Sequence, residues 1–110
     1  MRRHVDAAKL HQVVLNLVRN AIEAVSAGGH VTLELTADAT RIQLRVQDDG
    51  TGIPDEVKAR IYEPFFSTKE SGTGLGMSIV HSLVSLHDGT IDLDSGPSGT
   101  RFDVTLPRRQ

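Results

Sequence analysis

The sequence predicts an α+β fold of two layers, with helices packed on one face of a mixed or antiparallel sheet. Three changes of hydrophobic period carry that prediction: from helical to alternating after Gly29, back to helical at Leu75, and to alternating again after Gly89. The elements therefore run helix, two strands, helix, two strands, and no repeat or linker interrupts them.

Between Asp6 and Ala27, Leu10, Val14, Leu17, Ala21 and Val25 recur at steps of three and four. This is the spacing of an amphipathic helix, with Asp6 as its candidate N-cap and Gly28-Gly29 as its stop. Val31, Leu33 and Leu35 then alternate with polar residues, "DAT" makes a turn, and Ile42, Leu44 and Val46 alternate again, which reads as an antiparallel hairpin. "DDGTGIP" breaks the alternation and "DEVKARIYE" is a short helical segment. "PFFSTKESGTG" is a long connection, and in so small a domain such a loop is either functional or mobile. Leu75, Ile79, Leu83 and Leu86 mark a second long helix ended by "HDG", after which "TIDLDS" and "TRFDVTLP" flank "GPSG" as a second hairpin.

The chain of 110 residues is expected to form a single domain, 1–110, with one hydrophobic core. Its formal net charge of -2 provides no basic field, which argues against nucleic acid or anionic lipid as a partner. Cysteine is absent, so thiolate chemistry and disulfides are excluded, and a cytoplasmic location is expected. No apolar stretch approaches the roughly 20 residues that span a bilayer, and the first residues lack the apolar core of a signal peptide, so no membrane contact by this domain is expected.

"ESGTGLGMSI", residues 70 to 79, sets Gly72, Gly74 and Gly76 on alternate positions ahead of an apolar run. Three familiar phosphate loops fail on spacing. A Walker loop needs Gly-Lys-Ser/Thr, whereas Gly76 is followed by Met77 and Ser78. A dinucleotide fingerprint is G-x-G-x-x-G directly after a strand, and the glycine loop of a protein kinase lies between two strands. Backbone that can approach an anion closely, followed by a helix N-terminus, still suits phosphate, although a plain loop has the same composition.

Two further stretches bear on the choice. "QDDGTGIP" holds Asp48 at a strand end beside Gly50 and Gly52, where a buried carboxylate needs a donor such as the exocyclic amine of adenine. A simple Asp-Gly turn is the alternative. On the first helix Asn16, Asn20 and Glu23 share one face and offer hard oxygen ligands of the kind that Mg²⁺ takes alongside phosphates, the alternative being a solvated face.

Together these stretches resemble the ATP-binding catalytic domain of sensor histidine kinases, in the superfamily that also holds DNA gyrase, Hsp90 and MutL. "HQVVLNLVRNAIEA" is similar to the N box, "DDGTGIP" to the first glycine box, "YEPFFSTK" to the phenylalanine box and "GTGLGMSIV" to the second glycine box. "HDGTIDLDSGPSGTRFDVTLP" resembles the closing hairpin, and the likeness runs from about Asp6 to Pro107.

The resemblance implies a Bergerat-type α/β sandwich that binds ATP and Mg²⁺. Asn20 would ligate the metal, with Asn16 near the same phosphates. Asp48 would accept from the adenine amine, Gly50, Gly52 and Ile53 would shape the base pocket, and Thr100 would support the adenine end. Lys69 and the backbone of Gly72, Thr73, Gly74, Leu75 and Gly76 would gather the phosphates as a lid closes. Phe65 and Phe66 would anchor that lid, unless they are simply core.

Two departures qualify the match. Glu23 stands where many histidine kinases carry a basic residue, which points to the nitrogen-regulatory type. The family's leading strand does not fit before Asp6, so a fragment of a longer kinase or a minimal version is expected, with an uncovered sheet edge prone to self-association.

The superfamily's ATPases place a glutamate one turn before the metal-binding asparagine, where this chain has Asn16. A carboxamide is no general base, so efficient hydrolysis is not expected. No catalytic acid or base is assigned. A histidine kinase has less need of one, because neutral imidazole, with pKa near ~6.5, is already nucleophilic at pH 7.

His4, His11, His30, His81 and His87 lack the flanking residues of the family's phosphoacceptor box. The expected partner is a separate dimerisation domain that carries the acceptor histidine, and through it a response regulator. A stand-alone protein-serine kinase of the anti-sigma type, or a nucleotide-binding interaction module without transfer activity, are the alternatives. Asn20→Ala is expected to abolish Mg²⁺-dependent ATP binding with the fold intact. Equal ATP affinity of the parent protein with and without Mg²⁺, read by titration, contradicts the metal role.

Overall fold

In the computed structural model, which describes residues 7–25, 28–63 and 76–108, the first helical period becomes α1 (Ala7–Ala24). It buries Val13, Leu17 and Ala21, one per turn. The stripe read from spacing ran through Leu10 and Val14, which sit with Val18 at the margin of the core. Apolar residues cover a broad arc of this helix, so periodicity locates the buried line only to within a residue, and the packing partners beneath decide it. Asp6, the expected N-cap, lies outside the described residues.

β1 (Val31–Ala37) and β2 (Arg41–Asp48) form the expected antiparallel hairpin, with Leu33 opposite Val46 and Leu35 opposite Leu44. Asp38 holds its turn. Oδ1 accepts from Thr40 N–H at 2.8 Å, from the Thr40 hydroxyl at 2.8 Å and from Arg41 N–H at 2.9 Å. These bonds, the Thr40 amide first, hold the Asp38 carboxyl below its ordinary range. α2 (Asp55–Lys58) is one turn behind Pro54, shorter than the helical segment expected, and turns closed by Arg60 N–H on Val57 O and Glu63 N–H on Arg60 O continue it.

α3 (Gly76–Leu86) buries Met77, Val80 and Val84. The expected stripe needs correcting here: Ile79 and Leu83 are only half-buried, Leu86 is 60% exposed, and Leu75 lies outside the described residues. So apolar a helix satisfies the spacing on more than one face. It ends in a Schellman turn, Gly89 N–H on Val84 O at 2.9 Å and Asp88 N–H on Ser85 O at 3.0 Å. The residue with the left-handed backbone there is Asp88 (φ 59), not the glycine after it.

β3 (Thr90–Gly96) and β4 (Gly99–Pro107) make the second hairpin. β2 pairs with β4, joining the hairpins in the order β1-β2-β4-β3 with every pair antiparallel. Leu44, Val46, Phe102, Val104 and Leu106 pack with the buried residues of α1 and α3 in one core. The opposite face carries polar pairs: Arg45 Nε donates to Asp103 Oδ1 at 2.7 Å, and Arg101 Nε to Asp103 Oδ2 at 3.0 Å. One apolar and one solvated face is what makes the molecule a two-layer sandwich. β1 forms an edge of the described sheet, where Leu33 and Leu35 remain 48% and 55% exposed although their partners Val46 and Leu44 are buried.

Leu17→Ala vacates a position with 0% exposure and is expected to cost about 2–5 kcal/mol. At exposed Leu86 the same truncation is expected to cost under about 0.5 kcal/mol. Urea unfolding checks both, and equal losses would contradict the packing described for the two helices.

Candidate functional site

Where the apolar rows of the sheet end, polar residues take over the same face. Alternation places Asp48 with Leu44 and Val46 on β2, Thr100 with Phe102 and Val104 on β4, and Ser95 with Ile91 and Leu93 on β3. Register makes one rung of them, Thr100 standing opposite Asp48 on one side and Ser95 on the other. Asp48 and Thr100 are 5% and 4% exposed, so each needs a hydrogen-bond partner. Asp48 Oδ1 accepts from Gly50 N–H at 2.9 Å. Ser95 Oγ lies 2.8 Å from Thr100 Oγ1 and accepts from Ile53 N–H at 2.6 Å.

The loop that supplies Gly50 and Ile53 folds back onto this rung through close backbone contacts. Gly52 has φ +85, and a Cβ there would strike the Gly96 carbonyl. Gly99 has φ +138, and a Cβ there would strike the Asp48 carbonyl. Gly50 is pressed against the Ala24 carbonyl at the end of α1. The space of the missing side chains is therefore filled by protein backbone, which draws α1, the loop and the β3–β4 turn together.

Asp49 braces the outer flank, its Oδ1 accepting from His30 N–H at 2.8 Å and its Oδ2 lying 3.1 Å from His30 Nδ1. The His30 amide, then its ring, hold the Asp49 carboxyl below the ordinary range. A lowered carboxyl contributes stability above its unfolded value and loses it as pH falls through the folded one, and in this exposed pair the contribution is small. Beyond α2, Tyr62 packs against His81 of α3 with ring centroids 4.9 Å apart, and burial pushes its phenol above the usual range.

The second part of the site lies on α1. Asn16 and Asn20 are half-buried one turn apart, and Glu23 on the same side is exposed. Asn16 Nδ2 is buried without a hydrogen-bond partner among the described residues. Its carboxamide stands next to Gly76, where a Cβ would lie 3.9 Å from Oδ1. Gly76 opens α3, and the first N–H groups of a helix have no intrahelical acceptor. An orphaned amide donor beside a helix N-terminus is an arrangement that suits an anion. Among the described residues no group of three His, Cys, Asp or Glu could hold a metal, and the side-chain oxygens along this side of α1 are those of Asn16, Asn20 and Glu23.

Of the residues singled out in the sequence, Asp48, Gly50, Gly52, Ile53 and Thr100 come together at the rung, and Asn16, Asn20 and Gly76 on the α1–α3 side. Lys69, Gly72, Thr73, Gly74 and Leu75, with Phe65 and Phe66, lie outside the described residues. Ser95 was missed. Its signal was a hydroxyl on the apolar phase of β3, in line with Ile91 and Leu93.

The family of histidine kinase-, DNA gyrase B-, and HSP90-like ATPases matches residues 5–110. Sensory histidine kinase/phosphatase NtrB of Rhodobacter capsulatus is 41% identical over 115 residues, covering 93% of this chain and 32% of that protein. The chain spans about a third or less of the length of the curated relatives it matches. Among solved structures, the nucleotide-free catalytic domain of histidine kinase ThkA superposes with a TM-score of 0.84 at 36% identity, covering 94% of this chain and 69% of that one. Full-length ShkA in complex with AMPPNP superposes with a TM-score of 0.79 at 32% identity, covering 93% of this chain and 22% of that one. A shared sandwich fold and a family match over nearly the whole length lead to one conclusion: the chain belongs to the histidine kinase-, DNA gyrase B- and HSP90-like ATPases, as a catalytic ATPase domain of the sensor histidine kinase type.

Proposed function

We propose that the chain binds Mg-ATP and passes the γ-phosphoryl group to a histidine on a separate dimerisation domain, from which a response regulator receives it. The observation that carries this reading is the buried Asp48–Thr100 rung near the C-terminal end of α1 and, at mid-helix, the Asn16 amide without a partner among the described residues. Eight helical residues, about 12 Å, separate Asn16 from Ala24, and a nucleotide laid along α1 would meet a base-selective carboxylate first and an anion site second.

In this reading Asp48 accepts from the adenine amine through the carboxylate oxygen that Gly50 does not engage. Gly50, Gly52 and Ile53 close the base pocket, and Thr100 supports its edge. Asn16 donates to a phosphate oxygen near Gly76, while Lys69 and residues 72–75 gather the remaining phosphates. Asn20 supplies an oxygen to Mg²⁺, which fits a cation held mainly by phosphates and one or two protein ligands. The metal would neutralise charge on the phosphate chain.

Transfer then rests on positioning, since the acceptor imidazole is nucleophilic without a base and Asn16 can activate no water. The AMPPNP held by the structurally similar ShkA supports a nucleotide in this fold. No helix among the described residues is long and apolar enough to cross a membrane, and we place the domain in the cytoplasm, where ATP is available.

Radiolabelled ATP mixed with the protein and a separately made dimerisation domain is expected to label a histidine of that domain, with no label on the chain alone. ATP binding without label on histidine would reduce the protein to a nucleotide-binding module. Asp48→Asn is expected to weaken ATP binding by one to two decades, the roughly 1.5–3 kcal/mol of a hydrogen bond to a charged group. Unchanged affinity in calorimetry would mean that adenine lies elsewhere.

A further inference from the structure

We propose that Ser95 is a positioning residue for adenine recognition, whose hydroxyl fixes both the Ile53 peptide and the Thr100 hydroxyl relative to Asp48. The inference rests on the adenine pocket proposed above. Three elements meet at this one oxygen. It accepts from Ile53 N–H at 2.6 Å, which pins the loop after β2, and it shares a hydrogen bond of 2.8 Å with Thr100 Oγ1, the neighbour of Asp48 in the rung. The backbone of the same residue is held in turn, since Lys58 Nζ donates to Ser95 O at 3.4 Å and pairs with Asp55 at 3.2 Å.

The start of the loop is held by Gly50 N–H on Asp48 and by His30 on Asp49, whereas its later part meets the β3–β4 hairpin. Gly52 has no side chain to pack, and its φ of +85 and its approach to the Gly96 carbonyl exclude one. Close backbone contacts at Gly52 and Gly99 join the loop to the β3–β4 hairpin, and the Ser95 hydroxyl is the side-chain group that bonds to the loop backbone at Ile53. Without that hydroxyl, Ile53 N–H loses its acceptor and Thr100, 4% exposed, loses its partner.

Hydroxyl bookkeeping gives the second consequence. A hydroxyl offers one donor and two acceptor positions. With one acceptor position of Ser95 used by Ile53, the Ser95–Thr100 pair consumes one of its two hydrogens internally and keeps the other for a third group. Either hydroxyl can be the donor, so the hydrogen-bonding character that Thr100 presents beside Asp48 is coupled to the presence of the Ser95 hydroxyl. Adenine and hypoxanthine differ there, since adenine offers an amine and an unprotonated ring nitrogen while hypoxanthine offers a carbonyl and a ring N–H. Base choice, and not merely affinity, should depend on Ser95.

Titration of ATP, ADP and ITP into the parent protein, Ser95→Ala, Ser95→Thr and Asp48→Asn tests this. Ser95→Ala is expected to lose about tenfold in ATP affinity, to lose the same factor for ADP because the phosphate end is untouched, and to narrow the ATP-to-ITP preference. Ser95→Thr, which keeps the hydroxyl, should retain both. A folded Ser95→Ala protein with the parental ATP-to-ITP ratio, beside an Asp48→Asn protein that has lost ATP affinity, overturns the role of Ser95 and leaves the pocket standing. An Asp48→Asn protein with unchanged ATP affinity overturns the pocket and this inference with it. Should Ser95→Ala not fold, Ser95→Cys, similar in size but a poor hydrogen-bonding group, gives the same reading, and a parental ratio there overturns the proposal equally.

Discussion

Burying polar groups at the end of an apolar sheet face constrains everything around them. Asp48 and Thr100 sit on the same side of the sheet as Val46 and Phe102, only one rung further along, and are almost as inaccessible. Water cannot serve them freely there, so protein donors must be brought to them. The loop after β2 therefore folds back to offer Gly50 N–H to Asp48. The β3–β4 hairpin closes at Gly96 and Gly99 so that Ser95 reaches both Thr100 and the loop. α1 ends with Ala24 against Gly50. A sheet end that carries one buried carboxylate beside one buried hydroxyl is the result of meeting that requirement.

α1 serves two purposes with adjoining stripes. Val13, Leu17 and Ala21 lie in the core, and Asn16 and Asn20 are displaced from them around the axis by about one residue's rotation, with Asn16 beside the start of α3. Packing of the first stripe against the sheet and α3 fixes the rotation of the second. That rotation puts the Asn16 amide beside the first residue of α3, its nitrogen without a partner among the described residues. A buried donor without a partner among the described residues calls for an explanation, and the proposed phosphate contact supplies one.

The chemistry proposed follows from what these residues cannot do. Neither carboxamide can accept a proton, and in the proposed reading Asp48 would be held at the base end, away from the phosphates. Nothing so placed activates water, whereas an incoming imidazole needs only a well-positioned and charge-neutralised phosphate. The same reasoning makes base recognition a matter of rigidity. Ser95, Thr100 and Gly50 stand around Asp48 without reacting, and their value lies in holding donor and acceptor directions still.

The sequence by itself determined the elements and their order, because helical and alternating periods, the Asp38 turn and the glycine boxes are written within a few residues of one another. It also made Asp48 legible as a carboxylate at a strand end and Asn16 and Asn20 as a polar stripe on an amphipathic helix, whereas Thr100 came only with the family resemblance. Only the tertiary structure decided that Val13 and not Leu10 is buried, that Leu86 is left outside, and that β2 pairs with β4 to put Thr100 opposite Asp48. It also decided that Gly52 and Gly99 are required by backbone from distant parts of the chain. Ser95 belongs to this second group in its role, although its phase in β3 was visible beforehand. Faces and rungs arise when residues far apart in the chain are brought against one another, and that pairing energy is not contained in any single segment's pattern.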